Sequence, residues 1–340
     1  MTVTIIGTTG NDSILAPATD SSITGNSGDD SIAASTGNVT VNGNAGNDSI
    51  HGGSGNNFLQ GGLNNDTIVG GSGFNTIYGN AGNDSLVAGN NGDFLHGNDG
   101  NDTIHGGASY DTIHGGQGND SIIGGSGNEL MYGDLGSDTI VGGAGQDTIY
   151  GGANGGSITG GTGSNLIIGG AAGTTIHAGS GFDTIQGGAG NDSIVGGRVS
   201  DSISGGPGGD TLVGGTGNDT IFGGMGNDSI AAGSGNASLS GGIGNNTLEA
   251  GAGTDTLASS GSGQNVYVFD KTVTPNGVND VISDFLVGHD KIRLLHFTNG
   301  PEIVTDASSG NAVVIMGNGL HITLTGVTAS SLSNSDFIFV

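Results

Sequence analysis

Aliphatic residues recur every nine positions along most of this chain. Stepping by nine from Asp12 reaches position 255 without an insertion. This gives 28 equivalent positions, which we call registers. In all 28, an aliphatic residue or Met stands two positions after the register, from Ile14 to Leu257, and in 24 of them the position between is Ser or Thr. Successive side chains of a strand point to opposite faces, so each nonapeptide predicts a short strand with one inward side chain.

Glycine fills the other half of each nonapeptide. The consensus is G-G-x-G-x-D-[ST]-[IL]-x, and its full form stands at 187–195 and 223–231. Glycine tolerates positive φ and close approach of the backbone, so this half predicts a turn. One nonapeptide is therefore a strand and a turn, and two successive nonapeptides close one coil of a flattened solenoid.

This pattern resembles the RTX (repeats-in-toxin) nonapeptide family of calcium-binding proteins, over about residues 7–258. The resemblance implies an all-β fold, a right-handed parallel β-roll or β-solenoid of 18-residue coils. We predict a β-roll of 28 nonapeptides, about 14 coils, over residues 1–258. Residues 259–340 are predicted to form a β-rich C-terminal cap that includes a secretion signal.

The energetics of such a coil call for a cation. Ordering nine residues costs about 9–18 kcal/mol of backbone entropy, whereas burying one Ile or Leu returns about 1.5–3 kcal/mol. Ladder hydrogen bonds add about 0.5–1.5 kcal/mol each. Stacking also brings like charges into columns. Ca²⁺ suits this need because it accepts six to eight oxygen ligands, including main-chain carbonyls.

The resemblance implies that multiple Ca²⁺ ions lie between coils, each bound by carboxylates of every second register and by carbonyls of the G-x-G segment. One edge is well supplied with the predicted metal ligands, which are Asp12, Asp30, Asp48, Asp66, Asp84, Asp102, Asp120, Asp138, Asp192, Asp210 and Asp228. The opposite edge offers Asp93, Asp111, Asp147, Asp183, Asp201, Asp219 and Asp255. The registers that depart from Asp are Gly156, Thr174 and Asn246 on the first edge, and Ser21, Val39, Asn57, Asn75, Glu129, Asn165 and Ala237 on the second. We therefore expect one edge that binds Ca²⁺ at most of its registers and one edge that binds it at fewer. The alternative is that the aspartates only form turns.

Charge and composition exclude several classes of function. Asp and Glu total 31 against 4 Lys and Arg, a net charge of −27, and residues 1–197 contain no Lys or Arg. Such a chain repels nucleic acid and anionic lipid. It has no Cys, which excludes disulfides and thiolate metal sites. Neither a signal peptide nor a membrane span is expected from the apolar runs.

Outward positions form two further patterns. Ser and Thr alternate on the first face from Ser49 to Thr247. The second face has a stripe of large residues, for which we predict self-association, with cross-strand packing as the alternative: Phe58, Tyr78, Phe94, Leu130, Tyr132, Tyr150, Leu166 and Ile168. A further set of outward residues is expected to face solvent rather than form a transition-metal site: His51, His96, His105, His114 and His177.

After about residue 258 the nine-residue period is lost and alternating β-rich stretches replace it, with a turn predicted at 275–277. The stretch 266–292 resembles the β cap that follows RTX repeats, and the end, 336–340, resembles the uncleaved C-terminal signal of type I-secreted proteins.

No H-E-x-x-H or G-x-S-x-G motif occurs, so we expect no enzyme and no catalytic residues. The favoured function is a secreted calcium-binding structural protein, a filament, surface-layer or matrix component that assembles with copies of itself at the cell surface or outside it. The expected partners are calcium, other copies of this chain and the type I secretion machinery. We expect neither binding to nucleic acid nor a membrane span. Two alternatives remain open, a secreted host-interaction effector or pore-forming protein and an ice-binding solenoid.

Overall fold

The computed structural model describes residues 2–261, 263–275 and 277–340, and it consists of two compact units, residues 1–171 and 172–340. Each unit is built almost entirely of short β-strands, because each nonapeptide supplies one strand and one turn.

The first unit contains two parallel sheets, and consecutive strands alternate between them. Sheet 1 comprises β2 (Ser13–Leu15), β4 (Ser31–Ala33), β6 (Ser49–His51), β8 (Thr67–Gly71), β10 (Ser85–Gly89), β12 (Thr103–Gly107), β14 (Ser121–Gly125), β16 (Asp138–Ala144) and β18 (Gly156–Thr162). Sheet 2 comprises β1 (Val3–Ile6), β3 (Ser21–Ser27), β5 (Val39–Ala45), β7 (Phe58–Leu63), β9 (Thr76–Ala81), β11 (Phe94–Asp99), β13 (Thr112–Gln117), β15 (Leu130–Leu135), β17 (Thr148–Tyr150) and β19 (Leu166–Gly170).

The second unit has the same alternation. One of its sheets contains β20 (Thr174–Ser180), β22 (Ser193–Arg198), β24 (Thr211–Thr216), β26 (Ser229–Ser234), β28 (Thr247–Glu249), β30 (Val266–Asp270), β32 (Lys291–Leu295) and β36 (Phe337–Phe339). The other contains β21 (Thr184–Gly188), β23 (Ser202–Pro207), β25 (Thr220–Met225), β27 (Ser238–Ile243), β29 (Thr256–Ala258), β31 (Asn279–Ile282), β33 (Glu302–Thr305), β34 (Ala312–Ile315) and β35 (His321–Leu324). Two 3-10 turns, Ala329–Ser331 and Asn334–Asp336, precede β36.

Within each unit, a repeat strand pairs in parallel with the equivalent strand of the next coil. Leu86 of β10 lies beside Ile104 of β12, which lies beside Ile122 of β14. From Ile23 to Leu257 every residue two positions after a register is at most 2% exposed. The prediction of an all-β parallel solenoid with 18-residue coils is confirmed.

The turns need backbone conformations that favour glycine. Gly116 has a φ of +117°, and a Cβ there would lie 2.2 Å from the carbonyl oxygen of Asn98 in the preceding coil. Asn98 occupies the equivalent position with a φ of +77°, which short polar side chains tolerate better than others. The turn at this position is therefore restricted to Gly, Asn or Asp.

Parallel stacking continues beyond residue 258. Strand β30 pairs with β28, β31 with β29, and β32 with β30. Strands β33, β34 and β35 then form an antiparallel meander, and β35 pairs with β31. Larger side chains, including Tyr267 and Phe269, fill this part of the core. The turn predicted at 275–277 includes Asn276, which lies outside the described residues.

Candidate metal sites

The register aspartates lie in columns, one on each edge of the coils. The backbone N–H of Asp84 donates to Oδ1 of Asp102 over 2.7 Å, and the N–H of Asp102 donates to Oδ1 of Asp120 over 2.8 Å. The other edge has the same bond, from Asp183 to Asp201 and from Asp201 to Asp219, at 2.9 and 2.8 Å. One carboxylate oxygen of each residue thus completes the turn of a neighbouring coil.

The second carboxylate oxygen is different, because it is buried and accepts no hydrogen bond. This holds for Oδ2 of Asp30, Asp48, Asp66, Asp84, Asp93, Asp102, Asp111, Asp120, Asp138, Asp147, Asp192, Asp201, Asp210, Asp219 and Asp228. Buried polar atoms almost always have a partner. A whole column of exceptions therefore requires an explanation.

Where glycine stands five residues before an Asp register, Oδ2 of that Asp lies close to the position that a Cβ on the glycine would take, and in most cases a carbonyl oxygen of the next coil does too. A Cβ on Gly196 would lie 2.5 Å from Oδ2 of Asp201 and 2.7 Å from the carbonyl oxygen of Gly214 in the next coil. On the first edge, a Cβ on Gly97 would overlap Oδ2 of Asp102 and the Gly115 carbonyl. Carboxylate and carbonyl oxygens are the ligands that Ca²⁺ prefers, whereas Zn²⁺ favours nitrogen and sulfur. The donor set fits calcium.

Burial raises the pKa of several of these carboxyl groups. The pKa rises to about 7 at Asp66, Asp102, Asp111 and Asp201, and to about 6 at Asp84, Asp93, Asp138 and Asp192. Desolvation is the largest cause in each case, and the backbone hydrogen bond opposes it. A nearby cation would stabilise the anionic form of such a carboxylate further, beyond what the backbone hydrogen bond provides.

Registers with Asn, Ser or Thr complete their turns with hydrogen bonds from their own side chains. The Asn75 amide nitrogen, Nδ2, donates to the Gly73 carbonyl over 2.8 Å, and Nδ2 of Asn57 donates to Gly55 over 2.8 Å. The hydroxyls of Ser21 and Thr174 also donate to the carbonyl two residues earlier, each over 3.0 Å. At these positions the side chain itself supplies a donor to the carbonyl of the turn.

Glu129 is a different kind of departure. Both of its carboxylate oxygens are buried without a hydrogen-bond partner. Burial raises its pKa, and neighbouring Asp147 raises it further. Glu129 therefore shares with the register aspartates a buried carboxyl group with a raised pKa and an oxygen without a hydrogen-bond partner, although it differs from the consensus.

Two predicted ligands have partners for the second oxygen. At Asp12 the N–H of Thr8 donates to Oδ2 over 2.6 Å, and at Asp255 the N–H of Gly251 donates over 3.0 Å. These carboxylates differ from those in the middle of the columns.

The columns also extend further than sequence reasoning indicated. The N–H of Asp255 donates to Oδ1 of Asp280 over 2.8 Å, and Asn265 donates to Asp290 over 2.9 Å. Asp280 is fully buried, its Oδ2 has no partner, and burial raises its pKa to about 7. Both residues were missed because each lies 25 residues after the residue that donates to it, rather than the 18 of the regular coils.

The aromatic residues of sheet 2 form a ladder of neighbouring rings, some tilted and some stacked. Ring centroids lie 5.8 Å apart for Phe58 and Tyr78, 5.7 Å for Tyr78 and Phe94, and 4.9 Å for Tyr132 and Tyr150. Phe58 is 38% exposed, and the other predicted members, Leu130, Leu166 and Ile168 included, are half-buried. Cross-strand packing therefore accounts for part of the burial in this stripe.

Histidines take part in the same ladder. His96 stacks on His114 with centroids 5.3 Å apart, and His114 stacks on Tyr132 at 4.5 Å. His51 and His177 are exposed, as predicted. For His96 the prediction was wrong, because Nδ1 is buried by its neighbours in the sheet.

The described residues include no helix long and apolar enough to cross a membrane.

Comparison with protein families identifies the repeat. The family model of the RTX calcium-binding nonapeptide repeat (4 copies) matches residues 24–59, 60–95, 96–128, 123–155, 132–167, 168–203, 204–239 and 232–262. Among solved structures, the chain is similar to the AlgE6R3 subunit of the mannuronan C5-epimerase from Azotobacter vinelandii, with 20% identity, 44% of this chain and 77% of that chain covered, and a TM-score of 0.18. The comparison with curated proteins found no match. The chain belongs to the family of RTX calcium-binding nonapeptide repeats.

Proposed function

We propose that this chain is a secreted calcium-binding structural protein that folds and self-assembles outside the cell, as a filament, surface layer or matrix component. The observation that supports this proposal best is the columns of buried Asp Oδ2 atoms without hydrogen-bond partners. Without a cation these columns oppose folding, and with one they hold successive coils together.

Each Ca²⁺ ion is proposed to lie between two coils, bound by Asp Oδ2 and by the glycine carbonyls beside it. For one such site the ligands include Oδ2 of Asp102 and the carbonyl of Gly115, which border the space at Gly97. Registers with Asn, Ser or Thr are closed by their own hydrogen bonds and do not need an ion. The first edge therefore holds more ions than the second.

Coupling of folding to calcium supports secretion. A ligand that binds only the folded state stabilises it in proportion to the logarithm of its concentration. This chain would stay unfolded where free calcium is low and fold where calcium is abundant. An unfolded chain can be exported by the type I machinery.

The ring ladder on sheet 2 supports self-association. Exposed apolar patches on acidic proteins are unusual outside interaction surfaces, and Phe58 keeps 38% of its surface exposed. Calcium would also reduce the repulsion between copies that a net charge of −27 creates. Lateral contact between copies would then bury the exposed ring edges.

The test follows folding and assembly separately. Circular dichroism in chelator and in millimolar calcium measures folding, and electron microscopy with light scattering measures assembly. We expect β-structure and polymers only in calcium. Full β-structure in chelator would contradict calcium-coupled folding, and a folded monomer in calcium would contradict assembly.

A double variant tests the surface. Phe94→Ser with Tyr132→Ser is expected to fold in calcium but to reduce scattering, because it removes two rings from the ladder. The matched control, Ile123→Ser with Val141→Ser, changes outward positions of sheet 1 and is expected to assemble normally. Unchanged scattering in the ladder variant would refute this surface.

A further inference from the structure

A second cluster of ligating side chains lies on the outer face of sheet 2, away from the turns. His96 of β11 is the cross-strand partner of His114 of β13, and their rings stack with an interplanar angle of 13°. Asp134 of β15 lies opposite Gly116 in the ladder. Because Gly116 has no side chain, the carboxylate reaches back to His114, and Oδ2 lies 2.9 Å from His114 Nδ1.

The three side chains lie close together. One ligand atom from each of His96, His114 and Asp134 lies within 4.8 Å of the other two. They border a groove of about 380 Å³, which is also lined by Asn98, Gln117 and Leu135. His96 Nδ1 is buried and has no hydrogen-bond partner, so cross-strand stacking alone does not satisfy this imidazole.

We propose that His96, His114 and Asp134 form a binding site for one divalent transition-metal ion of the Zn²⁺ type, separate from the calcium sites. Two imidazole nitrogens and one carboxylate oxygen suit Zn²⁺, Co²⁺, Ni²⁺ or Cu²⁺ far better than Ca²⁺, which binds oxygen. Three protein ligands leave a fourth position open to water from the groove.

One further feature favours a metal over a simple hydrogen-bonded pair. Asp134 has a φ of +67°, at a position where Gly116 and Asn98 stand in the two preceding coils of the same column. A charged residue in this left-handed conformation is placed beside the two histidines at some cost in backbone energy.

The test uses the full chain folded in excess calcium, so that the turn sites are already filled. Zn²⁺ is added in a calorimeter, and Co²⁺ replaces it for visible absorption. We expect one Zn²⁺ per chain and Co²⁺ bands characteristic of nitrogen and oxygen ligands. Failure of the wild-type chain to bind Zn²⁺ under these conditions would overturn the proposal.

Variants locate the ion. His114→Phe keeps a ring in the ladder but removes the ligand, and Asp134→Asn keeps the shape but removes the charge. Each is expected to weaken Zn²⁺ binding at least tenfold while the calcium-induced dichroism stays unchanged. His105→Gln, in β12 on sheet 1, is the matched control and should bind like the wild type. Equal Zn²⁺ affinity in all the variants would refute this site without affecting the proposed calcium-dependent function.

Discussion

At residue 102 the carboxylate oxygen Oδ2 has no hydrogen-bond partner, whereas at residue 75 the corresponding atom is an amide nitrogen that donates to Gly73. The two side chains have nearly the same shape and lie in the same kind of turn. They differ in whether the turn requires an ion. At the scale of single residues, we therefore expect the choice between Asp and Asn to decide whether a turn depends on calcium.

This difference gives a prediction for Asp102→Asn. We expect the variant to bind one Ca²⁺ fewer and to unfold less readily in chelator than the wild type, because the new amide can donate to the turn carbonyls. Asp102→Ala should also lose the ion. It should be less stable than Asp102→Asn by about 1–3 kcal/mol, since the Asp84 N–H loses its acceptor. Calcium stoichiometry and urea unfolding, with and without chelator, measure both effects.

Asp29→Asn is the matched control for this pair. Asp29 is exposed and accepts a bond from the N–H of Asn47 through Oδ1, which Asn would also provide. Calcium stoichiometry should stay unchanged. If Asp102→Asn bound as much calcium as the wild type, the assignment of Oδ2 as a ligand would be wrong.

At the scale of the coil, the glycine five residues before a register tests the proposed position of the ion. Gly97→Ala would place a methyl group against Oδ2 of Asp102 and the Gly115 carbonyl. We expect loss of calcium at this turn and a lower unfolding temperature in calcium. Gly10→Ala is the control, because a Cβ there has nothing within 4 Å, and it should leave both quantities unchanged. Equal calcium binding by Gly97→Ala would show that the ion lies elsewhere.

The strands and their buried residues followed from the sequence, because a nine-residue period with one aliphatic position leaves a single way to orient each strand. The Asp columns followed from the same period. Asp280 was beyond this reasoning, since the intervening segment lengthens the spacing between stacked registers from 18 to 25. The cluster at Asp134 was also missed, because there a glycine of the consensus is replaced and its two histidine partners lie on the two preceding strands of the sheet.

At the scale of the whole molecule, protons and calcium compete for the same carboxylates. In the metal-free folded state, burial raises the pKa of Asp66, Asp102 and Asp201 to about 7, whereas in the unfolded chain Asp titrates near ~3.9. The folded state therefore binds more protons between these two values. Protonation of these groups contributes fully to the stability of the folded state below their pKa in the unfolded chain. This contribution is lost as pH rises through their pKa in the folded state.

The metal-free chain should consequently lose β-structure and unfold at lower temperature as pH rises from about 5 to about 8. In millimolar calcium the order should reverse, because binding requires the deprotonated carboxylates and releases protons. Dichroism and thermal melts across this range, kept above the isoelectric point near 4.1 and checked for solubility by sedimentation, measure both profiles. Stability that rose with pH in the absence of calcium would mean that the buried carboxylates are already neutralised by some other group. The opposite slopes, by contrast, follow only if burial of the same Asp columns penalises charge and calcium removes that penalty.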